Sequence, residues 1–414
     1  MRFKKPRGTQ DFYGETMVRW AGIESRLADL AKRYGYSEIR TPIFEMSELF
    51  VRTVGEGSDI VSKEMYTFKD KKGRAMTLRP ENTAPVMRSF LENGLHRSGG
   101  MTRFFYIGPM FRYDRPQAGR YRQFHQFGVE AIGSSNPAVD AEVIEMSLEV
   151  YRMFGFEGLE VSLNSVGCPV CRPAFRETLV NALEGHKDEL CGDCSERALI
   201  NPMRIFDCKE CVEVKKKLPV ITDHLCGECE EHFQKLQKIL KDLDIDFVLD
   251  PLLVRGLDYY TRTAFEILRP GLGGQNALCG GGRYDGLARD CGGGDVPAIG
   301  FSSGIERLLE NLPEKALAEL GPKRPDVFFI IAGEEGASMA MKLAGRLRRE
   351  GFHVVCELSG RAMKKQMKTA SEAGARFSVF IGQDELEKEK VTIKNMETGE
   401  QKEVSMDGLA EILR

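Results

Sequence analysis

The segment from residue 103 to residue 132 constrains the fold more than any other part of this sequence. Both of its ends are rich in aromatic and β-branched residues. This composition predicts two β-strands, Arg103–Arg112 and Tyr121–Ile132, on either side of a polar loop that contains proline, glycine and arginine. Because so short a loop joins antiparallel neighbours, the two strands predict a hairpin within a sheet.

One face of the second predicted strand carries polar groups around a glycine. Alternate residues of a strand share a face, so Gln126, Gly128 and Glu130 point to the same side. A glycine between two polar residues lets a small ligand lie close to the backbone. Arg112, at the end of the first strand, suits an anionic ligand such as a phosphate. A solvated surface hairpin explains the same residue types, and these residues alone leave both interpretations open.

A second group of polar residues follows a proline. Pro80 interrupts any regular secondary structure. The next three residues, Glu81, Asn82 and Thr83, are therefore predicted on a turn that leads into a helix. Asn82 or Thr83 can cap that helix. The Glu81 carboxylate on such a turn can equally bind an ammonium group of a ligand, and both uses remain open.

The overall composition predicts a soluble, cytoplasmic protein of two to three domains. The 414 residues include 42% hydrophobic and 29% charged residues, which is ordinary for globular proteins. The net charge of −3 gives no overall field that attracts nucleic acid, so an RNA partner requires local basic patches. The N-terminus lacks an apolar signal segment, and the apolar run Val327–Ala332 is too short to cross a bilayer. We therefore expect no association with a membrane.

Four Cys-x2-Cys pairs lie close together in the middle of the chain. The pairs are Cys168/Cys171, Cys191/Cys194, Cys208/Cys211 and Cys226/Cys229. Both thiolates of such a pair can reach one tetrahedral Zn²⁺, and two pairs complete a site. In a chain without a signal segment, the alternative is a set of reduced thiols. The residues leave zinc binding open, but the change in composition predicts a separate inserted module.

The remaining segments complete the predicted domain organisation. Residues 253–269 return to a composition typical of a sheet. The following segment, 271–287, is rich in glycine but contains no G-x-G-x-x-G motif that follows a strand and opens a helix. We therefore predict no Rossmann or P-loop site. Beyond a short linker, strands and helices alternate as in a small α/β domain. The predicted domains are a core in two parts (1–166 and 250–320), the inserted Cys-rich module (167–249) and a C-terminal α/β domain (325–414).

Five sequence strings resemble the motifs of class II aminoacyl-tRNA synthetases, and specifically those of the histidyl-tRNA synthetase family. The helix Glu15–Tyr34 with the edge strand that ends at Pro42 is similar to the first class motif, which forms the dimer interface. The second and third class motifs are matched by FRYDRPQAGRYRQFHQ (Phe111–Gln126) and IGFSSGIERL (Ile299–Leu308). The two histidine-specific strings are matched by LVRGLDYYTRT (Leu253–Thr263) and GGRYDGL (Gly281–Leu287).

The resemblance covers nearly the whole chain and implies both a fold and an activity. The implied fold is an α+β catalytic core with an antiparallel sheet, an inserted helical Cys-rich module and a C-terminal α/β domain similar to the anticodon-binding domain. The implied activity has two steps, in which L-histidine and ATP first form histidyl-adenylate and pyrophosphate. The histidyl group then passes to the 3′ end of tRNA(His). The resemblance also implies a homodimer and Mg²⁺ bound with ATP.

The matched motifs imply roles for individual residues. Arg112, Arg255 and Arg307 would contact ATP, with Arg112 and Arg255 as the catalytic residues. The residues that would bind histidine are Glu81, Asn82, Thr83, Gln126, Glu130, Tyr259, Tyr260 and Tyr284. Arg115 and Gln117, in the loop of the hairpin, would face the end of the tRNA.

Two other classes of protein compete with this interpretation. A synthetase-like regulatory subunit of a histidine-biosynthetic transferase keeps the core but typically loses the histidine-specific strings or the anticodon domain, and this chain has both. A zinc-dependent RNA-binding adaptor would need a core without a substrate pocket. Histidine-dependent exchange of pyrophosphate with ATP distinguishes all three classes.

Overall fold

The computed structural model describes residues 3–55, 58–115, 120–271 and 276–414. The chain divides into a first unit, Met1–Gly321, and a C-terminal unit, Pro322–Arg414. The inner boundaries predicted at 166/167 and 249/250 stay a prediction.

The first unit contains strands and helices throughout its length. Its strands are β1 (Ser37–Glu38), β2 (Phe44–Met46), β3 (Tyr66–Lys69), β4 (Ala75–Leu78), β5 (Thr102–Phe111), β6 (Gln123–Ile132), β7 (Glu160–Ser165), β8 (Phe247–Leu249), β9 (Thr261–Leu268), β10 (Ala277–Arg283) and β11 (Ala298–Gly304). Its α-helices are α1 (Glu15–Arg33), α2 (Ser47–Val54), α3 (Thr83–Glu92), α4 (Pro137–Arg152), α5 (Arg172–Gly185), α6 (Gly192–Arg197), α7 (Val212–Lys215), α8 (Gly227–Asp242), α9 (Leu287–Asp290), α10 (Ile305–Glu310) and α11 (Glu314–Glu319). Single turns of other helix types are Ile60–Glu64 (π) and Leu95–Arg97, Lys187–Glu189, Pro202–Asp207 and Ile221–His224 (3₁₀).

An eight-stranded sheet organises the first unit, and the predicted hairpin forms part of it. The strand order is β1-β5-β6-β11-β10-β9-β7-β8, and all pairs are antiparallel except the outermost ones, β1/β5 and β7/β8. In the β5/β6 register Tyr106 lies opposite Gly128. The prediction of an α+β core with an antiparallel sheet is confirmed. A separate three-stranded sheet has the order β2-β4-β3.

Apolar residues cover one face of the large sheet and leave the other face for polar groups. Phe127 and Val129 of β6 are fully buried against α1 and α4 in the main hydrophobic core. Helix α1 contributes residues spaced by three and four, including Trp20, Ile23 and Leu27, as expected for one buried helix face. Strand alternation therefore directs Gln126 and Glu130 to the opposite face.

The Cys-rich insertion is largely helical and has its own small core. Helices α5, α6 and α7 surround buried side chains that include Phe175, Leu179 and Phe206. The last helix of the insertion, α8, packs on α4 through Phe233 and Leu236, which belong to the main core. Helix α8 thus packs the insertion against the core of the eight-stranded sheet.

The C-terminal unit is an α/β domain with a five-stranded sheet. Its elements are β12 (Val327–Ile331), α12 (Gly333–Arg349), β13 (Val354–Cys356), α13 (Met363–Glu372), β14 (Phe377–Ile381), α14 (Gln383–Glu387), β15 (Lys390–Asn395), β16 (Gln401–Ser405) and α15 (Leu409–Leu413). The order is β13-β12-β14-β15-β16, with the first three strands parallel and the last two antiparallel to their neighbours. Helices α12 and α13 are the crossovers between parallel strands, as predicted. Within the described residues, every helix is too short or too polar to span a bilayer.

Candidate active site

A cavity of about 360 Å³ lies on the polar face of the eight-stranded sheet. Its walls come from β6, β9, β10 and β11, and from the turn before α3. The predicted residues that line it are Glu81, Thr83, Arg112, Gln126, Arg255, Tyr259, Tyr260, Tyr284 and Arg307. Residues from five distant parts of the sequence therefore meet around one space.

Three arginines line the cavity. The Arg255 guanidinium donates to the carboxylate of Glu266, and its Nε has no hydrogen-bond partner among the described residues. Arg112 Nε donates to the carbonyl oxygen of Pro80 at 2.9 Å. Arg307 donates to the carbonyl oxygen of Ala277. These contacts fix the three side chains. Because a guanidinium has five N–H donors, Arg112 and Arg255 keep further donors for an anionic ligand.

Three glycines make room for side chains that lie flat on the sheet. A Cβ at Gly280 would stand 2.4 Å from the Arg255 guanidinium nitrogen Nη1. A Cβ at Gly128 would stand 2.3 Å from the Tyr106 ring, and one at Gly300 would stand 2.1 Å from Glu130 Oε2. The glycines of this region therefore permit close approach of polar side chains to the backbone. At Gly128 the ring of Tyr106 occupies the space over the backbone in which the sequence predicted a small ligand.

Carboxylate and amide groups also line the cavity. The Glu81 carboxylate accepts hydrogen bonds from the backbone N–H groups of Thr83 (2.6 Å) and Ala84 (3.0 Å). Burial raises the pKa of Glu81, although these backbone bonds oppose the shift. Gln126 Nε2 donates to Ser302 Oγ at 3.3 Å, whereas Gln126 Oε1 is buried and has no partner among the described residues. An unsatisfied buried acceptor beside a carboxylate suits a ligand ammonium group.

The residue that caps helix α3 is Glu81, and neither of the predicted candidates, Asn82 and Thr83, caps it. Asn82 stands at the N-cap position but its side chain makes no capping bond, and Thr83 Oγ1 donates instead to Glu130 Oε1 at 2.8 Å. Glu81 satisfies the first backbone N–H groups of the helix. A carboxylate has more acceptor capacity than an amide, so Glu81 can cap the helix and still present lone pairs to the cavity.

Glu130 lies beneath the cavity against a group of tyrosines. Its carboxylate accepts hydrogen bonds from the hydroxyl groups of Tyr284 and Thr83. Burial raises the pKa of Glu130 to about 8, because desolvation of the charge outweighs these hydrogen bonds. The ring centroid of Tyr259 lies 5.6 Å from that of Tyr284 and 4.7 Å from that of Tyr260. These rings form an aromatic wall around one buried acid.

Among the described residues, Glu130, Asn82 and Arg115 were predicted from the motifs but do not line the cavity itself. Asn82 is buried, and its Oδ1 accepts hydrogen bonds from Thr41 Oγ1 (2.6 Å) and Arg79 Nη1 (3.1 Å). Arg115 is exposed to solvent. Gln117 lies outside the described residues, within the gap at 116–119.

Sequence reasoning missed several residues that support the site. Glu266 holds Arg255, and the ring of Tyr106 covers Gly128. The feature of the sequence that could have indicated a role for Glu266 is its place as the single carboxylate within the apolar strand TAFEIL. Tyr106 becomes predictable only when the strand register is known, because register decides which residue faces a glycine.

A buried polar network joins the second histidine-specific string to the insertion. Arg283 and Asp140 are fully buried, and Arg283 Nη2 donates to Asp140 Oδ2 at 2.6 Å. Asp140 Oδ1 also accepts from Thr263 Oγ1 at 2.6 Å and lies 3.1 Å from His232 Nε2. This network connects α4, β9, β10 and α8. It keeps Arg283 away from the cavity and gives it a structural role beside Tyr284.

The eight cysteines of the Cys-x2-Cys pairs form two groups of four. We name them the inner cluster (Cys168, Cys171, Cys226 and Cys229) and the outer cluster (Cys191, Cys194, Cys208 and Cys211). Within each cluster the four sulfur atoms all lie within 4.8 Å of one another. The first and last pairs in sequence therefore meet, and the two middle pairs meet.

An antiparallel sheet that carries an arginine-lined cavity between these motifs defines a class II aminoacyl-tRNA synthetase. The family model for histidyl-tRNA synthetase matches residues 8–187 and 205–308, and a model for an anticodon binding domain matches residues 326–414. The chain belongs to the histidyl-tRNA synthetase family. It is therefore an enzyme, a ligase that joins histidine to tRNA.

Individual relatives agree with this assignment along the whole chain. A histidine–tRNA ligase from Desulforudis audaxviator is 51% identical and covers 100% of this chain and 99% of its own length. The crystal structure of apo histidyl-tRNA synthetase from S. aureus is 42% identical, with a TM-score of 0.81 and 99% of each chain covered. An ATP phosphoribosyltransferase regulatory subunit/histidyl-tRNA synthetase from Bacillus halodurans shares the fold at 23% identity, with a TM-score of 0.66 over 92% of this chain and 98% of its own. A regulatory subunit is thus the weaker alternative.

Proposed function

We propose that the 360 Å³ cavity binds L-histidine through Glu81 and Gln126 and ATP through its three arginines. The observation that carries the proposal is the meeting of Arg112, Arg255 and Arg307 with Glu81 and Gln126 around one space. Guanidinium groups bind phosphates bidentately, and a carboxylate with an unsatisfied amide oxygen binds an ammonium group. An α-amino acid and a nucleoside triphosphate present these charges.

The first step requires positioning rather than acid–base chemistry. The ionised carboxylate of histidine attacks the α-phosphorus of ATP, one carboxylate oxygen–phosphorus bond forms, and the bond to the leaving pyrophosphate breaks. Arg255 and Arg112 stabilise the negative charge that develops on the transferring group. The ion pair with Glu266 fixes the Arg255 guanidinium before substrate arrives. In the second step a terminal hydroxyl of tRNA(His) attacks the carbonyl carbon of histidyl-adenylate, and AMP leaves.

The mouth of the site fits a magnesium ion that accompanies ATP. A second cavity of about 390 Å³ is lined by Glu64 and Asp114 together with Arg112 and Arg307. Mg²⁺ is usually held by one or two carboxylates together with substrate phosphates. Glu64 and Asp114 would hold it, and the bound ion would neutralise charge on the outer phosphates.

Selectivity for histidine follows from buried polar groups beneath the aromatic wall. Glu130 accepts an N–H of the imidazole ring, with Tyr259, Tyr260 and Tyr284 around the ring. Phenylalanine has no ring N–H and could not make this hydrogen bond to the Glu130 carboxyl group. A site that hydrogen-bonds its substrate in this way rejects such analogues strongly, by about 10⁴-fold or more.

The tRNA meets two separate regions in this proposal. Arg115 and Gln117, in the loop of the hairpin, face the acceptor end, and the exposed position of Arg115 supports this. The C-terminal unit, which matches the anticodon binding domain, contacts the anticodon. Asn82 supports the turn that carries Glu81 and Thr83, through its bonds to Thr41 and Arg79.

We also propose a cytoplasmic homodimer. Three side chains of the three-stranded sheet, Phe44, Met46 and Phe68, are between 41% and 48% exposed. The centroids of the Phe44 and Phe68 rings lie 6.2 Å apart, so the exposed residues form one patch. Contiguous exposed apolar residues are typical of an interface with a partner.

Exchange of labelled pyrophosphate into ATP tests the proposal directly. We expect exchange that depends on L-histidine and that phenylalanine does not support. The variant Arg112→Gln keeps a polar side chain but is shorter and removes the charge, and it should exchange slowly. Absence of histidine-dependent exchange in the wild-type chain would contradict the proposed roles and favour the regulatory subunit.

A further inference from the structure

The two cysteine clusters have the sulfur geometry of tetrahedral metal sites. In the inner cluster the sulfur of Cys168 lies 3.7 Å from that of Cys171 and 3.8 Å from that of Cys226. In the outer cluster Cys191 and Cys208 lie 3.7 Å apart. A tetrahedral ion with metal–sulfur bonds of about 2.3 Å separates its sulfur ligands by about 3.8 Å. A disulfide would require about 2.05 Å, and all these cysteines are free.

Backbone N–H groups point at sulfur atoms in the inner cluster. The N–H of Val170 donates to Cys168 Sγ at 3.4 Å, and the N–H of Cys226 donates to Cys171 Sγ at 3.1 Å. Such donors stabilise a thiolate, which is the form of cysteine that binds metal.

The outer cluster repeats this arrangement with unrelated sequence. The N–H groups of Glu210 and Cys211 donate to Cys208 Sγ, each at 3.4 Å. The N–H of Cys191 donates to Cys211 Sγ at 3.3 Å. In both clusters one sulfur accepts from its own two-residue turn, and another accepts from the first cysteine of a second pair. Two segments of different sequence thus have the same pattern of N–H donors to sulfur. Packing of thiol groups alone does not require this pattern.

We propose that each cluster binds one Zn²⁺ through four thiolates. Four sulfur ligands in a tetrahedron select zinc or a single iron among common protein metals. A four-iron cluster places each cysteine on a different iron, which is incompatible with four sulfur atoms within 4.8 Å. Zinc suits a closed site with no open position for a substrate.

The inner ion fixes the insertion to the wall of the histidine pocket. Arg172, next to the ligand Cys171, donates to the carbonyl oxygens of Tyr260 and, at 3.3 Å, of Val166. Three residues beyond the ligand Cys229, His232 lies 3.1 Å from Asp140 Oδ1. The inner site is therefore structural for both the insertion and the core.

The outer ion positions a segment against the loop that carries Arg255. Arg204 lies between the two pairs of the outer cluster, and its Nη2 donates to the carbonyl oxygen of Gly256 at 2.7 Å. The same nitrogen donates to Asp258 Oδ1 at 3.0 Å. Gly256 directly follows Arg255, so the outer site supports a catalytic residue through Arg204. Arg204 is a positioning residue.

Metal content of the full-length chain tests the two sites. We expect elemental analysis of protein purified without chelators to find about two zinc ions per chain. Cys191→Ser with Cys208→Ser should lose one ion, and so should Cys168→Ser with Cys226→Ser. Cys356→Ser, in the C-terminal unit, is the matched control and should keep both ions. Replacement of zinc by Co²⁺ in the wild-type chain should give the visible absorption of tetrahedral cobalt thiolate, which needs no variant to fold.

The outcomes separate the metal sites from the catalytic proposal. Iron in place of zinc, less than one zinc per chain, or no cobalt–thiolate absorption would overturn the assignment, whatever the exchange activity. Arg204→Ala should keep both ions but lower the rate of pyrophosphate exchange about tenfold. Loss of the outer ion alone should lower the exchange rate by the same factor. Wild-type exchange without the outer ion would overturn the positioning role.

Discussion

Arg255 and Glu130 show how single residues acquire their chemistry from their surroundings. Arg255 is held by Glu266 on a glycine, so its guanidinium is oriented before a ligand binds. Glu130 is buried beneath tyrosines, so its charge is costly and its pKa rises to about 8. Both residues could be selected from the sequence by strand alternation and by family motifs. Glu266 could not, because an acid eleven residues from Arg255 becomes its partner only through the sheet.

Replacement of Arg255 tests its role in the transition state. Arg255→His should lower the rate of histidine-dependent pyrophosphate exchange by at least about 10²-fold, comparable to the loss of one transition-state donor. Arg152→His, on the exposed side of α4, is the control and should exchange at the wild-type rate. Near-wild-type exchange by the Arg255 variant would refute the role.

The raised pKa of Glu130 predicts a pH dependence of stability. The folded state keeps a proton on Glu130 up to pH about 8, whereas the unfolded chain loses it near pH 4.5, so unfolding releases a proton between these values. The free energy of unfolding should therefore fall as pH rises through this window, by at most about 1.4 kcal/mol per pH unit for one proton. Glu130→Gln removes this contribution, and denaturant titrations from pH 5 to pH 8 should show a flatter dependence. Glu157→Gln, at an exposed position, should keep the wild-type slope; equal slopes for both variants would contradict the assignment.

At the scale of elements, regular patterns were predictable and short irregular ones were not. The hairpin strands appear within two residues of their predicted ends, because long aromatic strands leave little freedom in register. Asn136 caps α4 as its position before Pro137 suggests. Helix α14 was missed, since five residues carry too little periodicity to be recognised. The pairing of cysteines was also hidden, because spacing within a pair says nothing about which pairs meet.

We predict that Gly280 in β10 is required for the position of Arg255 rather than for folding. An alanine Cβ at residue 280 would displace the far end of a flexible arginine, so the strand should tolerate Gly280→Ala with less than about 1 kcal/mol of change in stability. A guanidinium moved by about 1 Å should lower pyrophosphate exchange about 10²-fold. Gly294→Ala, where a Cβ meets no atom within 4 Å, should leave exchange unchanged. Full exchange activity in the Gly280 variant would show that Arg255 does not need its place on this glycine.

At the scale of the whole molecule, each unit has its own core and its own task. The first unit builds the cavity on a sheet whose other face is covered by α1 and α4. The C-terminal unit buries a separate set of apolar residues, including Phe329 and Leu343, and matches an anticodon binding domain. The antiparallel sheet of the first unit and the mostly parallel sheet of the C-terminal unit could be predicted from the order of strands and helices. The net charge, which is nearly balanced, gives no signal of a tRNA partner, so that expectation depended on the family motifs alone.

The exposed patch on the three-stranded sheet predicts that the chain associates with a second copy. Phe44 and Phe68 lie in strands on either side of β4, and exposed aromatic residues in contact are costly in a monomer. Phe44→Glu would place a charge in the interface, where its desolvation opposes association. Light scattering should give twice the chain mass of 46.5 kDa for the wild type and a mass near that of one chain for the variant. Leu358→Glu, at an exposed apolar position of the C-terminal unit, should remain dimeric. A monomeric wild-type chain at micromolar concentration would contradict the homodimer, and a dimeric Phe44 variant would place the interface elsewhere.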